Sequence, residues 1–187
     1  MSKFSRYVED GEYHKQIESI KRGDYPSLLL LHYRNCIVEE VSAIHRACII
    51  PEYIECRKKG LPTRPSYLLS KIALFKMPSI AKITLVLNQR RFDSSRVREN
   101  WKVAESLLAT SLAKRGWLAD VLKCVEKQFV TFTLQDLYDT SESELQEKHP
   151  DNKHVRDKIR QQLQHLRDLG FVEFMGRGVY RYTRSLS

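Results

Sequence analysis

The segment that most limits the fold lies between residues 154 and 182, where a helical apolar repeat ends at a glycine and two alternating segments follow around a glycine turn. At about 100° per residue, Val155, Ile159, Leu163 and Leu166 fall on one stripe. Burying that stripe turns Arg160, Gln161 and Gln164 away from the core. Gly170 tolerates left-handed dihedrals and so stops the helix. Phe171-Val172-Glu173-Phe174 then alternates, Gly176-Arg177-Gly178 turns, and Tyr180 and Tyr182 return. This pattern predicts a β-hairpin with Arg177 at its tip.

Two upstream segments extend the pattern. Ser111 to Gln128 carries Leu112, Trp117, Leu118, Val121, Leu122 and Val125 at helical spacing, with Gly116 near its start. Val130-Thr131-Phe132 is short enough to be only a strand or a connector. Thr133 supplies a hydroxyl cap for a short helix from Leu134 to Tyr138, with Asp136 at the third position of a capping box. Helix, strand, helix, helix, hairpin is the order of a winged helix-turn-helix. In such a domain Arg donates bidentately to guanine O6 and N7, and Gln pairs with adenine N6 and N7. Arg160, Gln161 and Gln164 are therefore the expected base readers, and Arg156, Lys158 and the wing residue Arg177 the expected phosphate contacts. The competing reading is a small α+β core whose charged helix face is merely solvated.

Charge helps decide between them. A formal charge of +9 and a pI near 9.4 favour an anionic partner. No apolar run of 18 residues and no amphipathic Lys-rich helix points to a membrane, and the start Met-Ser-Lys-Phe-Ser-Arg-Tyr has no apolar signal region, so a cytoplasmic location is expected. The excess is uneven, with 19 Lys plus Arg against 11 Asp plus Glu in residues 1–103 and 13 against 12 in 104–187. If the partner is DNA, the first segment must share in phosphate contact. Cys36, Cys48, Cys56 and Cys124 lack C-x-x-C spacing and paired histidines, so they read as small apolar residues rather than a zinc site or disulfides.

The first hundred residues differ in texture, with a boundary placed near Ala109 to Lys114. Glu12 to Arg22 reads as an amphipathic helix ended by Gly23, and Ser27 to Tyr33 as a buried strand. Ile37 to Arg46 is a second strand candidate, and Pro51 to Glu55 a helix start. Lys82 to Leu87 is the clearest β run, and Asp93 or Ser94 caps a helix through Trp101 to Leu108. Gly60 to Leu69, with two prolines, reads as an exposed loop. No internal repeat or low-complexity tract is present.

Ser111 to Trp117, Phe132 to Tyr138, Lys158 to Gln164, and Gly176-Arg177-Gly178 with Tyr180 resemble the DpnI/Dam-replacing family. Collinear matches continue upstream at Asp10-Gly11-Glu12-Tyr13, Asp24 to Leu28, Met77-Pro78-Ser79 and Lys82-Ile83. The resemblance implies methyl-directed type II restriction endonucleases that cut G-A-T-C bearing N6-methyladenine. It also implies an α+β chain in which an incomplete PD-(D/E)xK nuclease-like α/β core, residues 1–110, precedes a winged-helix domain, residues 111–187. In that family an Asp and an E-x-K on adjacent strands hold Mg²⁺ and support the attacking water. Neither that motif nor the family's paired C-x-x-C module occurs here. The expectation is a chain truncated at its amino terminus, without catalytic or metal-binding residues, binding no cofactor itself and defective in cleavage. Asp151-Asn152-Lys153, the one D-x-K, is assigned to chance. By the same resemblance Tyr67 stands where the family has an aromatic residue that packs on the adenine methyl. The expected partner is double-stranded, adenine-methylated G-A-T-C, bound by a monomer. Two alternatives stay open: an active endonuclease with a diverged or partner-supplied site, and a winged-helix transcriptional regulator with an unrelated amino-terminal sensor domain.

Overall fold

A computed structural model describes residues 6–183, with the backbone alone at Asp10. The first five residues, read above for a signal region, and the last four of the expected second domain lie outside the described residues. Contacts group the chain into two units that divide between Arg115 and Gly116.

In the first unit, β1 (Tyr7–Glu12), β5 (Leu69–Ala73) and β4 (Ile54–Cys56) form one antiparallel sheet in the order β1-β5-β4. A second holds β2 (Leu28–Arg34), β3 (Ile37–Ile44), β6 (Lys82–Leu87) and β7 (Arg90–Arg91), in that order. Helix α1 (Tyr13–Arg22) begins where the Glu12 carboxylate accepts from the Lys15 amide and ends at Gly23, whose φ of 80° lets its amide reach back to the last turn. Ile20, Tyr25, Leu30, Ile44, Ile49, Ile54 and Ile72 make one buried apolar cluster, and Leu112 packs against it. Asp93 caps α2 (Ser94–Ser106) through the amides of Ser95 and Arg96.

Two sequence expectations are corrected in this unit. Pro51 starts only a single 3-10 turn, Pro51–Tyr53, and the chain then enters β4. Ile54 and Cys56 leave the helical region because Ile54 pairs with Ile72 across β5. The Leu-rich segment after Pro26 is a strand, but it is not buried on both faces. β2 lies at the edge of its sheet; Leu30 is 8% exposed, whereas Leu29, Leu31 and Tyr33 on the alternate face are 59%, 53% and 70% exposed. A run of consecutive leucines carries no alternation, so sequence could not separate a covered strand from a half-covered one. Such an edge is open to further strand pairing. Leu31→Lys is therefore expected to reduce self-association of the full chain, read by light scattering at high concentration, while moving the unfolding free energy by less than about 0.5 kcal/mol.

The second unit takes in α3 (Leu112–Glu126) from Gly116 onward, followed by β8 (Thr131–Thr133), α4 (Leu134–Lys148), α5 (Val155–Asp168), β9 (Val172–Gly176) and β10 (Val179–Tyr182). The small sheet has the order β8-β10-β9, giving the winged-helix order. Thr133 and Asp136 form the reciprocal capping box: the Thr133 hydroxyl accepts from the Asp136 amide at 3.1 Å, and the Asp136 carboxylate accepts from the Thr133 amide at 2.7 Å. Gly170, at φ 74°, closes α5, and the Phe171 amide donates to the Leu166 carbonyl at 2.8 Å. Gly176, Arg177 and Gly178 are all left-handed and turn the hairpin. No helix among the described residues is long and apolar enough to cross a membrane.

α4 is longer than expected. It runs on past Tyr138 to Lys148, because Leu137, Ser141 and Leu145 continue a buried face four residues apart, with serine filling the middle position. Its carboxy-terminal half is laced by ion pairs. Glu144 accepts from Lys127 at 2.6 Å and Lys148 at 3.0 Å, and Lys148 also reaches Asp120 at 3.1 Å. His149, at the end of α4, stacks on Trp117 with ring centroids 3.8 Å apart and bonds Asp120 at 3.0 Å.

The two lysine ammonium groups hold the Glu144 carboxyl at about 2, below its ordinary 4.5. A carboxyl lowered in the folded state contributes stability that is complete above its unfolded value and is lost as pH falls through the folded one. Thermal unfolding of the full chain, followed by near-ultraviolet circular dichroism, is expected to show stability dropping between pH 4.5 and 2. Glu144→Gln should flatten that slope.

Candidate nucleic-acid interface

The surface of interest is built by α4, the turn after it, and α5. In the turn, Asn152 Oδ1 accepts from the His154 amide at 2.8 Å, and Gln146 Nε2 donates to the Asn152 carbonyl at 3.0 Å. The Asp151-Asn152-Lys153 triplet is thus the connector between two helices. α5 then buries Val155, Ile159, Leu163 and Leu166, together with Gln162, which the sequence reading did not place inside. With those five positions inward, Arg156, Arg160, Gln161 and Gln164 are exposed.

The exposed side chains form a bonded array. Arg156 directs Nε and Nη2 at the Glu142 carboxylate, each at 2.9 Å, and its guanidinium lies 5.0 Å from the centre of the Tyr138 ring. That carboxylate raises the Arg156 guanidinium above its ordinary value. Arg160 donates Nε to the Tyr138 hydroxyl at 2.7 Å and Nη1 to Asp157 at 3.3 Å. Lys158 donates to Gln161 Oε1 at 2.7 Å, and Gln164 Nε2 to Asp168 at 2.8 Å. Arg177 stands exposed on the wing turn at φ 48°. In the wing, Phe174 and Tyr180 are in ring contact at 5.2 Å, Phe132 stacks on Tyr180 at 5.8 Å, and Arg181 pairs with Glu173.

The structure brings five of the expected residues, Arg156, Lys158, Arg160, Gln161 and Gln164, onto one helix. Tyr67 is carried by the first unit. It is half-buried in the loop before β5, where its amide donates to the Arg64 carbonyl at 2.9 Å. That loop folds back on itself so closely that a Cβ on Gly60 would fall 1.9 Å from the Pro65 carbonyl oxygen, so only glycine fits. Tyr138 and Glu142, which hold the two arginines, were not anticipated. Their spacing of four residues puts them on one side of α4, but a helix ended at Tyr138 hides the relation.

No group of three or more His, Cys, Asp or Glu side chains among the described residues is placed to hold a metal ion. Burial pushes the Cys48 thiol up to about 12, which leaves it a packing group rather than a nucleophile.

An amphipathic second helix of a helix-turn-helix, presenting arginines and glutamines beside a basic wing tip, is the arrangement that major-groove recognition requires. Comparison with known families agrees with this geometry. Residues 113–182 match the Dam-replacing HTH domain, and residues 1–110 match the Dam-replacing family. With both halves of its length matched in order, the chain belongs to the Dam-replacing family, and its winged helix is that family's DNA-binding domain.

Proposed function

We propose that the chain binds adenine-methylated G-A-T-C in duplex DNA, as the recognition component of a methyl-directed restriction activity. α5 enters the major groove, with Arg160, Gln161 and Gln164 on base edges and Arg156, Lys158 and Arg177 on phosphates. The observation that carries this reading is the orientation of α5: its apolar stripe is buried, and the side chains able to read bases stand together on the open side. Family membership supports the methyl-directed part. The chain's net charge of +9 supports a polyanionic partner. Tyr67 is proposed to contact the adenine methyl from the first unit, as a flat ring suits an apolar substituent.

The test compares two arginines on methylated, unmethylated and scrambled duplexes at two salt concentrations. Arg160→Ala is expected to cost about 1–3 kcal/mol on the cognate site and little elsewhere, because only a guanine offers the paired acceptors. Arg177→Ala should weaken every duplex alike and reduce the salt slope by roughly one counterion. Equal losses on all three duplexes for Arg160→Ala would remove the reading role from α5.

A further inference from the structure

We propose that Tyr138 is a positioning residue for base reading: it fixes which edge of the Arg160 guanidinium faces the DNA. The inference rests on the assignment of α5 as the reading helix and adds a residue on the supporting helix, α4. Tyr138 is 5% exposed, while the Arg160 side chain is 56% exposed. One member of the pair is therefore held by packing and the other is presented to solvent. The Tyr138 hydroxyl accepts from Arg160 Nε at 2.7 Å, a charge-assisted bond. Its ring also underlies the neighbouring arginine, with the Arg156 guanidinium carbon 5.0 Å and the Arg160 guanidinium carbon 5.9 Å from the ring centre.

A guanidinium can present two forks to a guanine, the side pair Nε and Nη2 or the end pair Nη1 and Nη2. Tyr138 occupies Nε, and so selects the end pair. Asp157, on the open side, holds Nη1 at 3.3 Å with its own side chain 70% exposed. That contact is long and solvated, so guanine can displace it, whereas the bond to the buried hydroxyl persists. Without the hydroxyl, the flexible arginine stem must be ordered at the moment of binding, and part of the discrimination is lost to that entropy.

The experiment has two arms on the full chain. In the first, Arg160 Nε–H is observed by NMR in the free protein. Its exchange with solvent is expected to be much slower than that of the exposed Arg177 Nε–H, and Tyr138→Phe should abolish the difference. Equal exchange rates in the unmodified protein overturn the proposal without any variant having to fold. In the second, affinities for methylated G-A-T-C and scrambled duplexes are measured for Tyr138→Phe, Arg160→Ala and the double variant. Tyr138→Phe is expected to lower the cognate-to-scrambled ratio about tenfold, corresponding to about 1.4 kcal/mol, and the double variant should match Arg160→Ala alone. Additive losses in the double variant would make Tyr138 a structural residue and overturn the positioning role. If Arg160→Ala loses discrimination and Tyr138→Phe does not, the positioning role falls while the reading helix stands. If Arg160→Ala itself keeps its discrimination, both fall together.

Discussion

Everything proposed for the carboxy-terminal unit depends on the burial of one apolar stripe. Ile159, Leu163 and Leu166 are fully buried, and Val155 nearly so. Each such side chain removed from water stabilises the fold by about 1.5–3 kcal/mol, whereas exposed polar contacts on the opposite side contribute around 1 kcal/mol or less apiece. The apolar term therefore sets the rotation of α5 about its axis. The charged face follows as a geometric consequence. A rotation of one residue would bury Arg160 in place of Ile159, which the cost of dehydrating a guanidinium forbids.

The parts of the fold that sequence revealed are those written in a single periodicity. The α5 stripe, the glycine stop at Gly170 and the glycine turn around Arg177 each follow from one local rule. The Thr133–Asp136 box was equally legible, because both of its members lie within one turn of the helix they start. What escaped was α4 beyond Tyr138, where Ser141 replaces an apolar residue at the centre of the buried face and the stripe is broken to the eye though not in space. That single interruption also concealed Glu142 and the role of Tyr138, since partners across two helices become visible only when both helices have their full length. β2 escaped for the opposite reason: four leucines in a row say nothing about which face is covered.

The electrostatics around α5 are more balanced than the net charge suggests. Residues 104–187 carry 13 basic against 12 acidic side chains, and in the folded unit three of those acids lie against the reading face. Glu142 takes the Nε–Nη2 edge of Arg156, Asp157 takes Arg160, and Asp168 takes Gln164. These carboxylates hold the donors in ordered positions, and in the binding mode proposed above they are exchanged for DNA acceptors. Much of the attraction gained at a phosphate is offset by the ion pair given up. Such an arrangement favours selectivity over raw adhesion, because only a partner supplying several well-placed acceptors together repays the exchange.

The stacking of Trp117 on His149 gives this unit an internal optical gauge. An indole 8% exposed and in face contact with an imidazole has an emission that depends on the separation of the rings. His149 is also the residue at which α4 hands over to the turn leading into α5. The Trp117 part of the chain's emission, the other part being that of Trp101, therefore comes from a ring in contact with the joint between the two helices.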